Sequence, residues 1–135
     1  MTPYLTYLAY TALLTSLLWL PYILGVIMTI GLIPALHFRT ALPSDTPDWV
    51  HRANRTHQNA IENLAPFAVM VIVAHLAGAS NEMTAFWAML FFFARLAHAV
   101  VFWIGIPYVR TIVFAVGLIA VLGIFYEIMT AAPAA

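Results

Sequence analysis

The chain has 135 residues, 64% of them hydrophobic and only 7% charged, against about 25% charged in a typical soluble domain. The composition is that of an integral membrane protein, and the length is that of one small domain. Net charge is zero and cysteine is absent. This gives no electrostatic basis for a nucleic-acid partner, and it excludes disulfides, thiolate metal sites and a protein thiol nucleophile.

Four apolar segments are each long enough to cross a bilayer core of ~30 Å, which takes about 20 helical residues. The first helix is expected over residues 4–36, with Pro21 as the candidate kink. Its opening lacks a basic region and a clear cleavage site, so it reads as a retained helix and not a signal peptide. A long polar connection with two prolines follows, HFRTALPSDTPDW. There Ser44 or Asp45, and Thr46 or Asp48, are candidate caps for the second helix, residues 49–76. The short GASNE connection leads to a third helix over 82–104. A tight turn around Gly105 leads to a fourth over 107–129, with Pro107 in a favourable first position. The expected fold is an all-α, integral-membrane four-helix bundle, one domain over residues 1–135.

Four spans put both termini on one side. Arg39, Arg52, Arg55 and Arg110 all fall on the other side. The positive-inside rule then makes the basic loops cytoplasmic and both termini external. Trp49, Trp103 and Tyr108 lie at the basic interface, and Tyr4 and Trp87 near the opposite one, as aromatic belts. Gly25, Gly31, Gly117 and Gly123 permit close helix approach.

Chemistry concentrates in HRANRTHQNAIENLAPF, residues 51–67. Arg52, Arg55, Asn59, Glu62 and Pro66 step by three and four and share one helical face. Ionisable groups inside a bilayer are costly and are usually kept for a task or a partner. Glu62 is about 12 residues into the second helix, ~18 Å deep at 1.5 Å per residue, and Arg95 is ~15 Å from the same side. These depths predict a buried Glu62–Arg95 ion pair, which could equally serve only to fix helix register. Nearer the basic side, Arg55, Asn59, His98, Arg110 and Thr111 come together as a cationic, amide-rich funnel closed below by that pair. It suits a small anionic, peptide-like ligand, because guanidinium groups hold carboxylates in bidentate fashion. For any one arginine, snorkelling to lipid phosphate is the competing role. The histidines lack metal-ligand spacing, so no metal site is expected.

RTHQNAIENLAPF resembles the second-helix signature of the MAPEG family, the membrane-associated proteins in eicosanoid and glutathione metabolism. That signature reads approximately RAHxNxxExxxPF, and Arg55, His57, Asn59, Glu62, Pro66 and Phe67 occupy its positions. ARLAHAVVFWIGIPYVRTIVFAVG resembles the family's third-to-fourth-helix segment, with Arg95, His98, Arg110 and Gly117 in place. Bacterial members and microsomal glutathione transferases are the nearest in character. The resemblance implies a homotrimer in a bacterial inner membrane, with glutathione bound between protomers near the cytoplasmic face. Carried over by position, Arg55, Asn59, Glu62 and His98 contact glutathione, with Thr111 beside Arg110 and Arg39 matching an arginine near the end of the first helix. Arg110 is then the catalytic residue, holding the thiol as thiolate. The implied chemistry is addition of glutathione to apolar electrophiles, or reduction of lipid peroxides. The sequence departs from the family where tyrosines often line the site: Phe102 and Phe114 take those places, Gln58 replaces an arginine and His51 a glutamate. The alternatives are a lipid-binding or accessory subunit of a larger membrane complex and, more distantly, a small channel or transporter.

Overall fold

A computed structural model describes residues 1–37 and 42–131, and all of their regular structure is helical. The helices are α1 (Pro3–Leu17), α2 (Trp19–Ile30), α3 (Leu32–Ala35), α4 (Asp48–Leu76), α5 (Glu82–Ile104) and α6 (Pro107–Thr130). Among the described residues, four stretches are long and apolar enough to cross a membrane: Pro3–Ile30, Asp48–Leu76, Glu82–Ile104 and Pro107–Thr130. Much of their surface is exposed and apolar, for example Leu13, Val69, Phe93 and Leu122. In a soluble protein such a surface would aggregate; in a bilayer it is the solvated side.

The last three spans match the sequence expectation to within a residue at either end. The first does not: the expected continuous helix is divided in three. Pro21 has no N–H to offer the carbonyl of Leu17, four residues earlier, and the helix breaks at Leu18. Gly31 makes the second break, with φ 85° and ψ 163°, a conformation closed to residues with a side chain. Gly31 is therefore a backbone breaker and not a helix-contact glycine. The expected side-chain cap on α4 is also absent. Pro47 occupies the cap position without a side-chain bond, and the Thr46 hydroxyl is buried without a partner.

α5 is the central helix, packed along α6 and also against α1 and α4. The core joins Tyr4, Phe67, Val71, Ala74, Ala88, Phe91, Ala120 and Ile124. Phe67 and Phe91 stack with centroids 3.9 Å apart. Gly25 gives room to Val50 and Trp49, and Gly123 to the Trp87 indole, so those two glycines do allow close approach.

Side-chain bonds tie the bundle at both ends. At one end the Tyr4 hydroxyl lies 2.9 Å from His75 Nδ1 and accepts from Ser80 at 2.8 Å. There too Asn81 caps α5 in a reciprocal box with Thr84 and donates to Glu127 of α6 at 2.7 Å. The N-terminus, the α4–α5 turn and the end of α6 thus share one end. Asn81→Ala removes an N-cap and an interhelical bond together. It should lower stability by about 1–2 kcal/mol, read as a fall in the thermal midpoint in detergent. At the other end Arg52 Nε donates to the Trp103 carbonyl at 3.0 Å, satisfying one of the last carbonyls of α5.

Candidate functional site

The second end carries the cleft. Arg55, Asn59, His98, Phe102, Arg110, Thr111 and Phe114 enclose a cavity of about 360 Å³. Three elements supply them. α4 contributes Arg55 and Asn59, one turn apart on one stripe. α5 contributes His98 and Phe102, again one turn apart. The first two turns of α6 contribute Arg110, Thr111 and Phe114. The α5–α6 turn is tight because Gly105 adopts the left-handed conformation at φ 89°. That brings the opening of α6 back beside the end of α5.

The charges in the cleft are all positive. Arg55 Nη1 donates to Gln58 at 2.9 Å, so Gln58 steadies it from one turn away. The Arg110 guanidinium lies over the Phe102 ring, 4.9 Å from its centroid. His98, only 4% exposed, sits with its ring 5.6 Å from Phe102 and 6.1 Å from Phe114. Among the described residues, no carboxylate lines the cavity. Such a wall presents guanidinium, amide and hydroxyl donors against two aromatic faces, a complement to carboxylates and other small anions.

Arg95 forms the floor, but not as expected. The Glu62–Arg95 pair is not formed, and Glu62 is exposed on the surface of the chain. Arg95, 5% exposed, instead donates to Asn59 Oδ1 and to the Phe114 carbonyl, each at 3.3 Å. Its guanidinium also packs on the Phe91 and Phe114 rings. The reason is rotational. Asn59 and Glu62 are three residues apart, so their directions differ by about 60° around the helix. α4 is turned so that Asn59 meets α5. Gly117 makes the Arg95 position possible, since a Cβ there would overlap the guanidinium. With its Oδ1 held by Arg95, Asn59 keeps its amide N–H groups available as donors.

Of the residues singled out from the sequence, the structure brings Arg55, Asn59, His98, Arg110 and Thr111 together. Glu62 does not line this cleft, and Arg39 lies outside the described residues. Phe114 joins the cleft through both its ring and its backbone carbonyl; no sequence pattern signals the carbonyl.

Glu62 stands on an outward stripe of α4 with Ile61, Pro66 and Val69. Pro66 offers no N–H to the Glu62 carbonyl, so carboxylate and carbonyl are both left open at one depth of a span. Lipid cannot satisfy either group.

No curated protein and no solved structure matches the chain. The MAPEG family model matches residues 4–130, which takes in every cleft residue and all of the four spans but Pro3. The chain is a multi-pass membrane protein that belongs to the MAPEG family.

Proposed function

We propose that the cleft binds glutathione and that the protein adds its thiolate to apolar electrophiles, or uses it to reduce lipid peroxides. The observation that carries this reading is the enclosure of Arg55, Asn59, His98, Arg110 and Thr111 around one cavity with no carboxylate. Glutathione brings two carboxylates for the guanidiniums and its own thiol to a chain without cysteine. The apolar substrate enters from lipid, between α1 of one protomer and α6 of another.

A homotrimer accounts for the outward stripe of α4. Protomer contact there covers the Glu62 carboxylate and the carbonyl that Pro66 leaves open, and it brings Glu62 toward a neighbour's cleft. The basic end faces the cytoplasm of a bacterial inner membrane, where glutathione is supplied, and both termini face the periplasm.

A lipid-binding or accessory role is the second reading. Phe102 and Phe114 favour it, because they line the cavity without the hydroxyls that tyrosines would bring. Each missing neutral hydrogen bond weakens a ligand by about 0.5–1.5 kcal/mol.

Titration calorimetry of glutathione into the detergent-purified protein separates the two. Saturable binding, weakened roughly tenfold or more in Arg55→Ala by loss of a charge-assisted contact, supports the transferase reading. No heat at millimolar glutathione leaves the accessory role.

A further inference from the structure

A second cleft lies beside the first and shares Phe102 and Arg110 with it. Arg52, Phe102, Gly105, Ile106, Pro107 and Arg110 enclose about 150 Å³ at the α5–α6 turn. This turn joins two spans, so it sits where the chain leaves the membrane. We propose that Arg52 and Arg110, facing each other across this turn, form a phosphate-binding subsite at the membrane–water boundary.

Three observations converge on it. Arg52 commits only its Nε, to the Trp103 carbonyl. That bond fixes the guanidinium plane and leaves the two terminal amino groups for a ligand, as two parallel donors to two oxygens. The Gly105 backbone lies close under it: a Cβ there would stand 3.3 Å from Arg52 Nε. Arg110 supplies the second guanidinium, held over Phe102 and not paired with an acid. Among the described residues no carboxylate lines this cleft either, and none of its lining residues neutralises the two charges. Finally, α6 begins here at Pro107 without a side-chain cap, so the positive end of its helix dipole adds to the two guanidiniums. A cavity this small takes a headgroup and not a tripeptide.

The recognised chemistry is a phosphate oxyanion, supplied by an anionic lipid headgroup or by a soluble phosphate. Arginine modification by phenylglyoxal, mapped by peptide mass spectrometry, tests it on the wild-type protein. The protein is compared in nanodiscs of phosphatidylglycerol, in nanodiscs of phosphatidylcholine, and in detergent with or without inorganic phosphate. The expected result is protection of Arg52 and Arg110 over Arg55 in phosphatidylglycerol, by inorganic phosphate, or by both. Protection only in the lipid assigns the site to a headgroup; protection only by phosphate assigns it to a soluble anion. Protection of Arg52 and Arg110 that exceeds that of Arg55 in none of these conditions overturns the proposal, because general burial of arginines in the bilayer then explains it. A second measurement is phosphatidylglycerol retention in native mass spectrometry. Arg52→Gln should retain it roughly tenfold less than wild type and Arg52→Lys should fall between, following the loss of charge-assisted bonds. If the site is assigned to a headgroup, equal retention by all three proteins overturns the proposal as well.

Discussion

Gly117→Ala should destabilise the bundle by about 2–4 kcal/mol, and the same change should be neutral or stabilising once Arg95 is alanine. The added methyl overlaps the Arg95 guanidinium, which must then leave its place between α4, α5 and α6. Leaving gives up the bonds to Asn59 and to the Phe114 carbonyl. Bonds to a charged group contribute roughly 1.5–3 kcal/mol each. At 3.3 Å these two lie at the weak end. The aromatic faces of Phe91 and Phe114 add about 0.5–2 kcal/mol more. In an Arg95→Ala background the methyl meets no guanidinium, and alanine is the better helix former by about 1 kcal/mol. The sign therefore reverses between the two backgrounds. Denaturation of the four proteins of this double-mutant cycle measures the coupling. Additive effects would show that Gly117 is small for some reason other than Arg95.

The same residues show what could be read from the sequence and what could not. Apolar run length set three of the four spans, because a bilayer fixes how long a helix must be. Period three-four placed Arg55 with Asn59 and His98 with Phe102, since residues one turn apart on one helix share a face whatever its neighbours do. Depth alone, however, matched Arg95 with Glu62. Height along a helix follows from counting residues, but rotation about its axis is decided by packing. α4 turned Asn59 inward and left Glu62 outside. The second acceptor for Arg95 is a backbone carbonyl, which every residue has and no pattern marks. The break at Leu18 lay in the chemistry of Pro21, yet a proline inside a span can also be absorbed, as Pro66 is within α4. The clamp from Asn81 to Glu127 joins residues 46 apart in sequence, a separation that only the antiparallel packing of α5 and α6 makes short.

Arg110→Ala should lower glutathione-conjugating activity at pH 7 by about two orders of magnitude, and most of that loss should not come from thiol ionisation. A free thiol has a pKa of about 8.5, so only ~3% is thiolate at pH 7. A neighbouring guanidinium that lowered it to about 6.5 would raise the thiolate to ~75%, a gain of roughly 25-fold. The stabilised thiolate is also a poorer nucleophile, by about 6–10-fold for a two-unit shift at a Brønsted slope of 0.4–0.5. Ionisation alone then contributes only about three- or fourfold. The larger share must come from holding the sulfur against the electrophile, where fixed geometry substitutes for lost entropy. Arg110 is placed for that: it stands in the first turn of α6 with its guanidinium braced on Phe102. Two measurements separate the contributions. Ultraviolet thiolate absorbance of the bound complex should titrate near pH 6.5 in wild type and near 8.5 in Arg110→Ala, in line with the ordinary thiol value. Raising the pH to about 9.5 should then take the variant from ~3% to ~90% thiolate and raise its rate about 30-fold, yet leave it roughly four- to fivefold below wild type at the same pH. Complete rescue at high pH would reduce Arg110 to a charge that ionises the thiol. A full rate at pH 7 would remove it from the mechanism.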